Sequence, residues 1–266
     1  MPFINHFHGR RMKFPDLRFT IASLILLFTV TACAELDMMD KGVDAQALAA
    51  KLQAGDRSDA EKGRDAGRQP AEVIKFLDIK EGMSVLDLIA AGGYYTEVLS
   101  YAVAGQGTVY AQNPARVLQF RYGANDKAMT ARLANNRLPN VKRLDKEISD
   151  LGIEAGSLDA ALTALNLHDI YNNSPENAYS ALVTIKGLLK SGGVLGIIDH
   201  NGNAGADNAK LHRMQMAQAL ELAAKLGFEV EESDLLSNSD DDGSTSVFAP
   251  GVRGKTDRFL LKLTKP

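Results

Sequence analysis

From residue 70 onward, short apolar runs alternate with longer amphipathic stretches. Runs with strand character fall at about 84–88, 108–112, 141–144, 159–165, 193–199, 228–235 and 257–263. Between them, helical spacing covers about 94–104, 115–134, 176–190 and 207–226. Val194-Leu195-Gly196-Ile197-Ile198 is unbroken apolar sequence, as expected of a strand covered on both faces. Leu188 to Gly193 reads as a glycine-capped helix end feeding that strand. Strands alternating with helices predict an α/β fold, doubly wound around a mostly parallel sheet of seven strands. Upstream, a short helix is expected over Ala45–Gln53, loop over Gly55–Gln69, and a helix from Pro70 through Phe76.

The N-terminus has a different pattern. Arg10, Arg11, Lys13 and Arg18 precede an apolar run of 13 residues, Phe19 to Thr31, which is short for a membrane span. Val30-Thr31-Ala32-Cys33 resembles a bacterial lipobox, while Ala32-Cys33-Ala34 also fits ordinary signal peptidase. The segment therefore reads as an export signal of lipoprotein type. It predicts a periplasmic protein anchored to a bacterial membrane through a lipid on Cys33. Cys33 is the single cysteine, which excludes an intrachain disulfide.

The chain has 266 residues and a formal net charge of −3. Removing residues 1–32 takes away four basic residues and one acidic one and leaves −6. With no basic run, no Trp and few aromatics, nucleic acid is not an expected partner. A small-molecule acceptor or ligand is.

Val85 to Glu97 carries the densest chemical information. A short strand ends in Asp87-Leu88, passes through the small-residue turn Ala90-Ala91-Gly92-Gly93, and enters a helix at Tyr94-Tyr95. That order puts a tight loop and a helix N-terminus at the C-terminal edge of a sheet, where open α/β proteins bind ligands. Asp87 reads either as a ligand contact or as a cap for the helix. Two His/Asp pairs, His168-Asp169 and Asp199-His200, follow neighbouring strands and should meet in one crevice, where acid–base chemistry is the expectation. The bland alternative is a hydrogen-bond network that stiffens the rim. Their spacing matches no known ligand signature, so no metal is expected. His212 has no visible partner. Arg64, Arg68, Arg253, Lys255 and Arg258 either form a cationic rim or pair with Asp65 and Asp257. Asp240-Asp241-Asp242-Gly243 reads as solvated loop.

These landmarks resemble the class I S-adenosylmethionine-dependent methyltransferases. The small-residue loop follows the first strand, Asn113 lies 26 residues after Asp87, and Asp145 follows the third strand. Asn166-Leu167-His168-Asp169 follows the fourth, and Leu189-Lys190-Ser191-Gly192-Gly193 looks like the turn into the fifth. More narrowly, Arg64-Asp65, Gly92-Gly93-Tyr94-Tyr95-Thr96-Glu97, Ile198-Asp199-His200 and Arg253 to Phe259 resemble a bacterial group of exported methyltransferases. The resemblance implies a Rossmann-like seven-stranded sheet with an antiparallel last strand. With the export segment, the chain divides into a signal peptide over 1–33, a tether and helix over 34–60, and a methyltransferase-like domain over 61–266, and the resemblance runs from about residue 45 to 266. It implies S-adenosylmethionine as cofactor, held by Asp87, Ala91, Gly92, Gly93, Tyr94, Tyr95, Asn113, Asp145 and Asn166, with His168, Asp169, Asp199 and His200 as the catalytic set. Ile89 and Ala91 stand where the family has glycine, and Asn113 stands where it has an acid. Those departures, and a cofactor made in the cytoplasm, leave a second expectation: a non-catalytic binder of a nucleoside or other metabolite. A His/Asp hydrolase is a third.

Overall fold

A computed structural model describes residues 42–266. The export segment and Cys33 lie outside the described residues. Helix α1 (Ala45–Ala54) starts where Asp44 accepts the amides of Gln46 and Ala47, and it buries Ala45, Leu48 and Leu52. Helix α2 (Asp59–Arg68) corrects the loop expected there. It buries no residue, so it has no apolar stripe to read in the sequence. Side chains hold it down instead: Arg57 grips Asp65 at 2.6 and 2.8 Å, Tyr94 Oη donates to Asp65 at 2.6 Å, and Arg132 grips Glu61 at 2.6 and 2.8 Å. Helix α3 (Pro70–Phe76) follows with Pro70 in its first turn.

The remaining elements run β1 (Ser84–Leu88), α4 (Tyr94–Val103), β2 (Thr108–Gln112), α5 (Ala115–Leu118), α6 (Phe120–Leu133), β3 (Val141–Leu144), β4 (Leu158–Ala164), α7 (Leu167–Asn173), α8 (Pro175–Leu188), β5 (Leu189–His200), α9 (Asn208–Leu211), α10 (Met216–Leu226), β6 (Glu229–Ser233) and β7 (Arg258–Thr264). The sheet order is β3-β2-β1-β4-β5-β7-β6, with β7 antiparallel to both neighbours and the first five strands parallel. This is the expected doubly wound, Rossmann-like sheet of seven strands. The order reverses between β1 and β4, which opens a crevice at their C-terminal ends.

Period-two alternation feeds an apolar core on each face of the sheet. Leu86, Leu88, Ala161, Leu195, Ile197, Leu261 and Leu263 belong to one cluster, with Leu182, Ile185 and Leu222 of the helices. Val85, Ala160, Leu162, Val194, Ile198 and Leu260 belong to the other, with Leu52, Ile74 and Leu99. Several boundaries differ from expectation. The stretch at 115–134 is broken by Arg121, Tyr122 and Gly123, all at positive φ. The stretch at 207–226 divides at His212, whose φ is 54°. Helix α7 was not expected, and β5 begins early because Leu189 pairs with Leu158 across a bulge.

Glu97 on α4 is fully buried and bonds both Arg132 and Arg137. Arg132 also donates from Nε to the Gly92 carbonyl at 2.8 Å, so one guanidinium ties α2, α4 and α6 to the β1–α4 turn. Removing one partner of such a buried pair strands the other charge. Arg132→Met should lower the unfolding free energy in urea by about 3–5 kcal/mol. Arg143→Met, which breaks the more exposed pairs to Asp126 and Asp145, should change it by about 1 kcal/mol or less.

Candidate functional site

The turn between β1 and α4 takes left-handed backbone at Ile89 (φ 54°), Ala91 (φ 50°) and Gly93 (φ 85°). Only glycine does this without strain. Side chains at the ends of β2 and β4 hold it in place. Gln112 Oε1 accepts the Ile89 amide at 2.9 Å, and Asn113 both accepts the Ala91 amide at 2.8 Å and donates to its carbonyl at 3.1 Å. Asn166 donates to the carbonyls of Ile89 at 3.2 Å and Ala164 at 2.8 Å, bridging β1 and β4 across the crevice. The Ile89 side chain is buried in the cluster of Leu86 and Leu88. Leu165, directly after β4, is also left-handed at φ 63°. Backbone strain of this kind concentrates at functional sites.

The other residues assigned to a cofactor fall in several places. Asp87 is tied to α4 through Thr96, whose hydroxyl donates to it at 2.5 Å, and burial raises its carboxyl to about 7; Gly93 is the N-cap of the helix. Ala91 and Gly92 form the turn, and a Cβ on Gly92 would lie 3.1 Å from the Ala128 methyl. Asp145 points away from the crevice's clamp and pairs with Arg143 at 2.8 Å. Tyr94 and Tyr95 pack edge to face, with centroids 5.2 Å apart. Their rings face this chain's own guanidinium groups: Arg57, Arg64 and Arg68 lie 5.3, 4.8 and 4.5 Å from the Tyr94 centroid, and Arg68 lies 5.8 Å from Tyr95.

The arginines form a concentration of positive charge. Asp65 pairs with Arg57, and Asp257 bonds Asn201 and Asn238 and acts on Arg258 through its charge alone, so neither forms an ion pair with Arg68 or Arg258. Among the described residues, Arg68 has no carboxylate partner. Arg258 is 7% exposed and donates only to the backbone carbonyls of Thr256 and Gly67. Burial, with the Arg68 charge nearby, lowers the pKa of both Arg64 and Arg258. Arg258 is the register partner of His200, so this charge lies beside the His/Asp cluster. Asp241, expected in solvated loop, instead pairs with the buried Arg213 at 2.8 and 2.9 Å.

The two His/Asp pairs meet as expected, and the fully buried Asp199 joins them. It accepts from the His168 amide at 2.8 Å and the His200 amide at 2.8 Å, and its Oδ1 lies 2.6 Å from His168 Nδ1. The His168 and His200 rings are 5.8 Å apart. Asp169 Oδ1 lies 3.2 Å from His168 Nε2 and 2.9 Å from His212 Nδ1. His212 was invisible in the sequence because 43 residues separate it from Asp169. His200 Nδ1 is 2.8 Å from the Thr256 hydroxyl.

Environment splits the two imidazoles. Burial opposes charge on His168, but Asp199 and Asp169 outweigh it and raise its pKa to about 10. Burial, reinforced by His168 and Arg258, lowers His200 to about 3 against the pull of Asp199. At neutral pH, His168 is a cation between two carboxylates and His200 is neutral. This divergence is the pattern of an acid and a base placed side by side.

Two cavities border this edge of the sheet. One of about 660 Å³ is lined by Pro114, Arg116, Glu147, Ile148, Asp169 and Ile170, among others. The other, of about 410 Å³, lies between the end of α2 and the loop before β7 and includes Gly67, Lys255, Thr256 and Arg258. Glu147, not singled out by the sequence, is thus a carboxylate on the wall beside the end of β2.

The shifts set a pH dependence. His168 is protonated more readily in the fold than in the unfolded chain, so its stabilisation is whole below pH 6.5 and is lost as pH rises toward 10. His200 acts in the other window: below pH 6.5 the unfolded chain takes up a proton that the folded one refuses, down to about pH 3. The urea midpoint of the wild type should fall between pH 6.5 and 10, and His168→Asn should flatten that fall. An equal slope in both proteins would contradict a charged His168.

No family model matches the chain, and no curated protein matches it in sequence. Solved structures do match. An S-adenosylmethionine-dependent methyltransferase from Aquifex aeolicus aligns with a TM-score of 0.56 at 18% identity, over 84% of this chain and 100% of that one. The cyclase SpnF aligns at 0.54 and 18%, over 76% and 81% of the two chains. The carbon methyltransferase CurJ aligns at 0.52 and 13%, over 82% and 58%. The chain has the class I S-adenosylmethionine-dependent methyltransferase fold.

Proposed function

We propose that this protein is an S-adenosylmethionine-dependent methyltransferase of the cell envelope, acting on a small anionic acceptor. The strained turn at the β1/β4 switch point and the His168–Asp199–His200 cluster carry the reading, and the 660 Å³ cavity starts one residue beyond Asn113 and His168, at Pro114 and Asp169. The fit to the cofactor departs from expectation at several residues: Asp87 bonds Thr96, Asp145 pairs with Arg143, and Asn166 bonds the carbonyls of Ile89 and Ala164. Asn113 is committed to Ala91, and Glu147 supplies the carboxylate on the cavity wall for hydroxyls or the adenine amine. Ala91 and Gly92 keep the turn narrow for the amino-acid end. The cofactor brings a methyl group activated on a sulfonium.

The protein's part is positioning and proton handling. Arg68 and Arg258 attract a carboxylate or phosphate on the acceptor and place it beside His200. An O–H nucleophile becomes a strongly acidic oxonium once methylated, so the weakly basic His200 suffices to accept its proton. Asp199 holds the His168 ring and the His200 amide, Thr256 holds the His200 ring, and protonated His168 puts positive charge beside it. The reading of residues 1–33 as an export signal supports placing this chemistry outside the cytoplasm, with Cys33 as lipid anchor. Among the described residues, no helix is long and apolar enough to cross a membrane.

One observation favours a non-catalytic binder of a nucleoside or related metabolite: the Asn113 amide is used up inside the protein. The cyclase SpnF has the same fold, so the fold alone does not fix the reaction. Mass spectrometry of ligands co-purifying from the periplasm distinguishes the two readings by whether a methylated product accumulates with the bound nucleoside.

Calorimetric titration with S-adenosylhomocysteine tests the cofactor assignment. Binding should be measurable, weakened about 10-fold or more by Glu147→Gln, and unchanged by Asp145→Asn. No heat and no thermal shift at millimolar ligand would remove the reading. With S-adenosylhomocysteine bound, small carboxylates and phosphates should raise the melting temperature of the wild type but not of Arg68→Gln.

A further inference from the structure

We propose that His168, Asp169 and His212 form a binding site for one divalent transition-metal ion. Their donor atoms all lie within 4.8 Å of one another. Asp169 Oδ1 is 3.2 Å from His168 Nε2 and 2.9 Å from His212 Nδ1. Those separations match neighbouring ligands on an ion with bonds of about 2.0–2.2 Å, whose donors stand about 3.0–3.5 Å apart.

The surroundings are built for ligation. Metal-bound imidazole usually gives its second nitrogen to a carboxylate, which fixes the ring and strengthens the ligand. Asp199 does this to His168: it is fully buried, lies 2.6 Å from Nδ1, and anchors the backbone amide of the same residue at 2.8 Å. Nε2 is thereby turned toward Asp169. His212 is fixed by other means. It holds left-handed backbone at φ 54°, a conformation that a non-glycine residue keeps only under constraint, and Phe248 packs edge-on against its ring at 4.7 Å. Three elements far apart in sequence, α7, the end of α9 and the loop carrying Phe248, thus converge on one point.

Two imidazoles and one carboxylate favour zinc, iron(II), manganese or cobalt over magnesium or calcium, which prefer oxygen donors throughout. The side chains of Asp169 and His212 are 53% and 37% exposed, so an ion can reach the site and keep open positions for an outside ligand. Asp169 also lines the 660 Å³ cavity, which places those open positions within reach of whatever binds there. The inference rests on the side-chain geometry; an ion on Nε2 would take the place of the His168 proton and keep positive charge at that ring.

The test uses the full chain, stripped with chelator and titrated with cobalt(II), followed by zinc(II) competition. One ion per chain should bind and give visible ligand-field bands that zinc abolishes. Asp169→Asn and His212→Ala, both at partly exposed positions, should each weaken cobalt binding at least about 10-fold while circular dichroism stays unchanged. Asp199→Asn should weaken it about 10- to 100-fold by freeing the ring. No stoichiometric binding at millimolar cobalt would overturn the site, and so would binding that survives both Asp169→Asn and His212→Ala. S-adenosylhomocysteine affinity, measured on the same samples, reports separately on the cofactor assignment.

Discussion

Left-handed backbone at residues that resist it is the constraint around which this molecule is organised. Ile89 and Ala91 each cost about 1–2 kcal/mol where glycine would cost little. Five side-chain hydrogen bonds offset that strain, from Gln112, Asn113, Asn166 and Arg132, each contributing about 1 kcal/mol. The polar residues ending β2 and following β4 are therefore part of the frame. A ligand must be recognised by what stands next to them: Glu147 on one side, the arginines and the His/Asp cluster on the other.

Asp199 has the same organising role for the chemistry. One buried carboxylate holds the His168 ring and the amides of both histidines by three hydrogen bonds, while burial of His200 and the second carboxylate on His168 set their protonation states apart. Its position follows from register. β5 is covered on both faces, so a charge at its last turn but one must find partners among the loops at the sheet edge. His168 enters from the first turn of α7, and β7 runs antiparallel alongside to bring Arg258 opposite His200.

The sheet was legible because period-two and helical apolar patterns report burial, and burial is what strands and core helices share. α2 was not legible because ion pairs and an aromatic hydroxyl hold it, and those leave no periodic trace. At the site, the convergence of His168, Asp169, Asp199 and His200 was readable from their placement after adjacent strands. His212 was not, since a long connection brings it back. The alternative reading of Asp87 as a helix N-cap gives way to Gly93 at that position, with Asp87 accepting from the Thr96 hydroxyl instead. The degenerate glycine loop was visible as sequence, but its remedy was not: nothing local in Gln112 or Asn113 announces that their amides clamp a turn 22 and 23 residues upstream.

The polar attachment of α2 has a thermodynamic corollary. A segment that buries no residue exposes little hydrocarbon when it detaches, so its release carries almost no heat-capacity or denaturant signature. Calorimetry would pass over such an event, whereas amide exchange in Asp59–Arg68 would register it as a subglobal opening. Such an opening would carry Arg64 and Arg68 off the faces of Tyr94 and Tyr95 and leave the strands of the sheet in place.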